Sequence, residues 1–173
     1  MPPAFTHINS TRRGSLSSAL LDAKERIRLL EWLEERFGIE QSRFDDFALL
    51  AYGDQINAAP VEASQLAESV SALETGLPLV KVSRAGMYKP STRGMQVFGV
   101  YATKNTVEIG ASGMKDLVEG RAFPWPGEKG FVIVTVDGYP AGVALCREGR
   151  LISQLPKMMT SSMELSGTEK LGA

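Results

Sequence analysis

The sequence predicts an α+β chain: an N-terminal α/β part followed by a small mixed β-barrel. Three observations carry that reading. Two amphipathic helical stretches fall within the first seventy-six residues. From Leu79 onward the pattern changes to short alternating segments separated by Gly and Pro. Six such segments follow, which suits a small barrel better than a layered parallel sheet.

Residues 1–16 read as a flexible arm, with Pro2-Pro3 and Thr11-Arg12-Arg13-Gly14-Ser15. Residues 18–37 form the first predicted helix. Leu20, Ala23, Ile27, Leu30, Leu33 and Phe37 recur at spacings of three and four, on one face. Ser17 or Ser18 caps its start, and Gly38 suits the left-handed position after its end. Asp22 and Arg26 form an i,i+4 pair on the outer face. Trp32, beside the stripe, is read as packing. Phe47 to Tyr52, ending at Gly53-Asp54 and followed by Gln55 to Ala58, is either a hairpin or one strand and a loop. A second helix is predicted over 61–75 from Ala63, Leu66, Val70 and Leu73, with Gly76 as its stop. Leu77-Pro78 is a boundary, because proline disfavours helix in the residue before it.

The predicted strands are 79–84, 96–101, 106–109, 130–136, 139–146 and 150–153. Gly130 to Val136 is the strongest strand signal, and Asp137-Gly138 is a hairpin turn signal. Met114 to Glu119 is read as one helical turn ending at Gly120. Residues 160–173 are rich in Ser, Thr and Gly without pattern and are expected to be disordered. The organisation is therefore an arm over 1–16, an α+β part over 17–76, a barrel over 77–159 and a tail over 160–173.

The net charge of −1 hides a division. Residues 1–76 hold 7 Lys/Arg and 12 Asp/Glu, whereas residues 77–159 hold 11 and 6. Such asymmetry hints at a polyanion-binding face in the second part. No run approaches the ~18 apolar residues of a membrane-spanning helix, and the first residues lack the basic flank and apolar stretch of a signal peptide. A cytoplasmic protein without membrane contact is expected. Cys146 is the single cysteine, so no internal disulfide or multi-Cys zinc site can form.

The sequence holds no catalytic constellation. Neither G-x-G-x-x-G nor G-x-x-x-x-G-K-[ST] occurs. One histidine, His7, rules out H-E-x-x-H. Cys146 lies in a predicted strand, the usual place of an inert buried thiol. Asp45-Asp46 reads as a solvated turn or helix start rather than a metal site. No catalytic residue, cofactor or metal is assigned, and the chain is read as a non-enzyme.

The segment Gly130-Phe-Val-Ile-Val-Thr-Val-Asp-Gly-Tyr-Pro-Ala-Gly142, with Leu155-Pro156-Lys157, resembles the C-terminal RNA-binding region of RsmF-type RNA 5-methylcytosine methyltransferases. There a pre-PUA part precedes a PUA-like barrel. Leu79 to Gly99, with Arg84, Gly86 and Lys89-Pro90-Ser91, is similar to the opening strand and loop of that region. Leu117 to Gly120 falls at its L-x-x-G turn, and Phe47 to Asn57 is loosely similar to its pre-PUA part. The resemblance covers roughly 45–159. It implies an accessory region without the methyltransferase domain, since no cofactor-binding glycine loop or pair of catalytic cysteines is present.

What the resemblance implies is RNA binding: structured RNA, rRNA or tRNA, as partner in RNA modification or ribosome biogenesis. An RNA-modification or ribosome-assembly protein is a further partner. RNA recognition needs cations for phosphates and flat side chains for unstacked bases. The expected cations are Arg84, Lys89, Arg93, Lys115, Arg121, Arg147, Arg150 and Lys157. The expected stacking residues are Tyr88, Trp125 and Tyr139, with Trp125 also suited to covering one end of the barrel. Departures motivate a second reading, a protein-interaction adaptor that has lost RNA affinity. The family carries a lysine after the hairpin where this chain has Val143-Ala144-Leu145, and Leu151-Ile152-Ser153 lacks the family's Lys and Asn. Met158 stands where a Gly follows Lys157's counterpart.

Overall fold

The computed structural model describes residues 19–70 and 74–155. The arm, His7, Lys157, the C-terminal tail and the end of the second predicted helix lie outside the described residues.

The chain opens with β1 (Ala19–Leu20) and α1 (Ala23–Phe37). Asp22, in extended geometry, caps α1 by accepting the Glu25 N–H at 2.8 Å. The helix thus starts later than expected, because Ala19 and Leu20 pair with Ala51 and Leu50 instead. Gly38 ends it in the left-handed region at φ 66°, as expected. Leu29, Leu30, Leu33 and Phe37 are buried, while Ile27 from the predicted stripe is 52% exposed. The expected Asp22–Arg26 pair gives way to separate tasks. Asp22 is the cap, and Arg26 donates to the carbonyls of Phe44 (2.6 Å) and Phe47 (2.8 Å). Those carbonyls flank the end of a 3₁₀ turn at Gln41–Phe44.

β2 (Phe47–Tyr52) and β3 (Gln55–Pro60) form a hairpin, which settles the alternative left open by periodicity. α2 (Val61–Val70) follows directly. β4 (Leu77–Val82) and β5 (Tyr88–Pro90) then extend the same sheet, in the order β1-β2-β3-β4-β5, all antiparallel. The strand expected at 79–84 therefore forms, slightly earlier, but its partners are β3 and β5 rather than the barrel strands.

The strand expected at 96–101 is not a strand. Residues Thr92–Phe98 form α3, continued by a 3₁₀ turn at Gly99–Tyr101. Ser91 caps α3 by accepting the Gly94 N–H at 2.8 Å. Gly94 lets the helix lie on β4: a Cβ there would sit 2.8 Å from the Pro78 carbonyl oxygen and 2.9 Å from Leu79 Cα. Met95 and Phe98 are buried, and Phe98 packs on Phe44 and Phe47.

The second sheet is a curled half-barrel. β6 (Thr106–Glu108) pairs parallel with β8 (Gly130–Val136). β8, β9 (Tyr139–Arg147), β10 (Arg150–Ser153) and β7 (Phe123–Pro124) pair antiparallel in that order. α4 (Gly110–Val118) is longer than the single turn expected, and Gly120 follows it at φ 74°.

Strand β8, between β6 and β9, is buried on both faces. Val132 and Val134 join Val107, Met114, Leu117, Ala144, Cys146 and Leu151 in the barrel core. Ile133, with Val143 from β9, joins α1, α3 and the first sheet in the larger core. The two sheets thus share a wall. Each fully buried Leu, Ile or Phe in it stabilises by roughly 1.5–3 kcal/mol. Arg36 reinforces the junction, donating through Nε to the Phe131 carbonyl at 2.9 Å. Among the described residues, no helix is long and apolar enough to cross a membrane.

Candidate nucleic-acid interface

The hairpin β8–β9 is the best-defined exposed feature of the second sheet. Asp137 (φ 52°) and Gly138 (φ 79°) both take positive φ, the geometry of a tight two-residue turn. Tyr139 emerges beside it, 74% exposed. The turn is held by Glu108, which accepts the Thr135 hydroxyl (2.8 Å) and the backbone N–H groups of Asp137 (3.0 Å) and Gly138 (3.1 Å). These bonds, the Thr135 hydroxyl first, hold the Glu108 carboxyl below its ordinary range. One residue is bulged out of β9 at Ala141, and Gln96 of α3 donates to its carbonyl at 2.9 Å.

The opposite end of the barrel carries Arg147 and Arg150. They face each other across β9–β10, flanking the turn at Glu148 (φ 53°) and Gly149 (φ 71°). Arg147 lies 3.5 Å from Glu148, and Arg150 registers with Pro124 of β7. Trp125, next in chain, donates its backbone N–H to the Gly149 carbonyl at 2.8 Å. Its ring packs against the barrel core, over Gly127, with the indole N–H buried and unpartnered.

The other expected residues are dispersed. Lys115 and Arg121 belong to α4 and its exit. Arg121 is clamped by Asp116 (Nε to Oδ1, 2.8 Å) and by Glu119, and Lys115 lies 3.9 Å from Glu119. Tyr88 is half-buried against Trp32, ring centroids 5.3 Å apart, and burial raises its pKa above the usual phenol value. Arg84, Lys89 and Arg93 lie on the first sheet and α3, exposed and without an ion pair among the described residues. The expected positions among the described residues therefore fall in four places: the Tyr139 hairpin, the Arg147/Arg150 end with Trp125, α4 and its exit with Lys115 and Arg121, and the β4–β5 and α3 region. Lys81, which registers directly with Lys89 across β4–β5, is a cation that sequence reading did not select. Its alternation with Val80 and Val82 marked it as outward, but its pairing with Lys89 appears only once the hairpin is known.

Cys146 is buried, its sulfur 3.7 Å from the Gly127 carbonyl. Among the described residues, no cluster of His, Cys, Asp and Glu could hold a metal ion. The cleft between Met114, Leu117, Val134 and Leu155 is apolar and leaves no room even for a water molecule, far short of a small-molecule site.

What decides the relationship is the second sheet together with its hairpin. Residues 104–160 match the methyltransferase RsmF PUA domain. The match spans about a third of the chain and coincides with β6 to β10, so the α+β fold contains a PUA-like barrel of the RsmF type. Before residue 104 the resemblance rests on sequence likeness alone. A comparison with curated proteins finds no match.

Proposed function

We propose that this chain is a non-enzymatic RNA-binding module, acting on rRNA or tRNA in RNA modification or ribosome biogenesis. The observation that carries the reading is the PUA-domain match over 104–160, since a PUA domain is a non-catalytic RNA-binding module. The first part of the chain serves as a pre-PUA-like platform that orients the barrel through the shared wall at Ile133 and Val143. A cytoplasmic location follows from that role.

The test is titration of labelled rRNA fragments and tRNA with the full chain at several salt concentrations. Binding whose logarithm falls linearly with that of salt is expected, because cations that neutralise phosphates release counterions. Flat curves for both RNAs at low salt overturn the reading.

One observation favours a second reading, a protein-interaction adaptor. Three expected barrel cations, Lys115, Arg121 and Arg147, each have a carboxylate neighbour. A stable protein partner that survives nuclease treatment, together with flat RNA titrations, would select it.

A further inference from the structure

The positive charge of the second part is not spread over it. Residues 77–107 contain Lys81, Arg84, Lys89, Arg93 and Lys104 and no Asp or Glu. Residues 108–155 contain five cations against six carboxylates. Apart from Lys104, the acid-free stretch lies outside the segment that matches the PUA family.

The fold turns this stretch into a surface. In the β4–β5 hairpin, Val80, Val82 and Tyr88 take part in the larger core. Alternation sends Lys81 and Lys89 to the opposite face. There they stand directly across from each other, both exposed. On that side of the sheet Ala48, Leu50 and Ala59 form a small cluster of their own with Tyr52, and β5 is the sheet edge. Arg84 occupies the connecting turn, which Ser83 fixes by accepting the N–H groups of Gly86 (2.8 Å) and Met87 (3.1 Å). Arg93, also exposed, belongs to α3 on the core side of β4 and stands apart from this face. On the same side, Glu74 accepts from the side-chain amides of Gln55 (2.8 Å) and Asn57 (3.1 Å) and forms no ion pair with Lys81 among the described residues.

Like charges placed directly opposite in a sheet are destabilising unless an anion lies between them. Here the like pair is joined by a third cation in the turn, and none of the three has an ion pair among the described residues. By contrast, the barrel's Lys115, Arg121 and Arg147 already have carboxylate neighbours, so its like pair Arg147–Arg150 is relieved at Arg147 by Glu148. We infer that Lys81, Arg84 and Lys89 hold the RNA phosphate backbone, so that the phosphate-binding face lies on the first sheet and not on the PUA-like barrel. The inference rests on the RNA-binding reading above.

The experiment compares the full chain with its Lys89→Glu, Lys89→Gln and Arg150→Glu variants. Each is titrated into a fluorescently labelled RNA stem-loop at several salt concentrations and then melted. Lys89→Glu is expected to weaken binding by about tenfold and to lower the salt slope by about one. It should at the same time raise the melting temperature, because it creates an opposite-charge pair with Lys81. Lys89→Gln is expected to lower the slope without loss of folding. Arg150→Glu is expected to change binding less than Lys89→Glu. Unchanged affinity and slope in both Lys89 variants, with wild-type binding intact, overturn the inference alone. A lower melting temperature for Lys89→Glu also overturns it, since the like-charge argument then fails. Absence of wild-type binding overturns the RNA reading itself. Binding to vesicles of anionic lipid that depends on Lys89, with none to RNA, assigns the face to a membrane and overturns both.

Discussion

Glu108 accepts the backbone N–H of Gly138 at 3.1 Å, so a strand at the edge of the second sheet fixes the tip of a hairpin thirty residues away in sequence. The same carboxylate accepts from Asp137, Thr135 and, at 3.3 Å, Gly110. It ties the start of α4 and the β8–β9 turn to one point, and Tyr139 is presented from that turn.

That arrangement predicts an acid sensitivity. The Glu108 carboxyl is held below its ordinary range by the Thr135 hydroxyl first, then by the backbone N–H of Gly138. A carboxylate whose folded pKa is depressed adds stability above its unfolded pKa and loses it as pH falls through the folded value. Thermal melts of the wild type and Glu108→Gln should therefore differ most at neutral pH. The gap should close on acidification below the ordinary carboxylate range. A gap that stays constant with pH would show that the anion contributes nothing. Faster amide exchange at Asp137 and Gly138 in the variant is the accompanying local signature.

A second prediction concerns the junction of the two sheets. Arg36, its side chain 16% exposed, donates to the Phe131 carbonyl at 2.9 Å, and one guanidinium nitrogen lies 3.6 Å from Glu128. Gly130 adopts φ 123°, and a Cβ there would sit 3.0 Å from Arg36 Cζ. Arg36→Ala leaves the Phe131 carbonyl without its charged donor and should cost roughly 1.5–3 kcal/mol. Arg36→Lys should recover little, because an ammonium lacks the planar fork. Gly130→Ala should destabilise as well, through both the backbone and the guanidinium. Denaturant unfolding of the three variants measures this, and wild-type midpoints throughout would contradict it.

The fold was legible where local chemistry decides it. Gly38, Asp137-Gly138 and the run from Gly130 to Val136 each specify a conformation within a few residues, and each formed as read. Residues 96–101 misled because Val97, Phe98, Val100 and Tyr101 are good strand formers. The Ser91 cap and the close approach of Gly94 to Pro78 and Leu79 override that preference. Sheet membership of 77–90 was not legible, since strand pairing is set by distant partners. The site suffered for the same reason. Arg84 and Lys89 are legible from charge and from the family likeness of their segment, but Lys81 gains its meaning only from the register with Lys89. Nothing in the sequence told that Arg121 would turn to Asp116 and Glu119.

The two aromatic residues of the barrel should separate by experiment. Tyr139 is 74% exposed on a fixed turn, so Tyr139→Ala removes almost no packing and should leave stability within about 0.5 kcal/mol. A base stacked on that ring is worth about 1–3 kcal/mol, so binding of single-stranded RNA should weaken correspondingly. Trp125 behaves in the opposite way. Its ring covers Gly127 and packs on the barrel core, and its indole N–H is buried without a partner. Trp125→Ala should lower the melting temperature, whereas Trp125→Phe should be nearly neutral because it deletes the unpaired donor while keeping a ring. Neither Trp125 variant should alter RNA affinity under conditions where it is folded. Anisotropy titrations and thermal melts of the three variants decide the assignment. RNA binding lost in a fully folded Trp125→Phe protein would move the stacking site from the Tyr139 hairpin to the opposite end of the barrel.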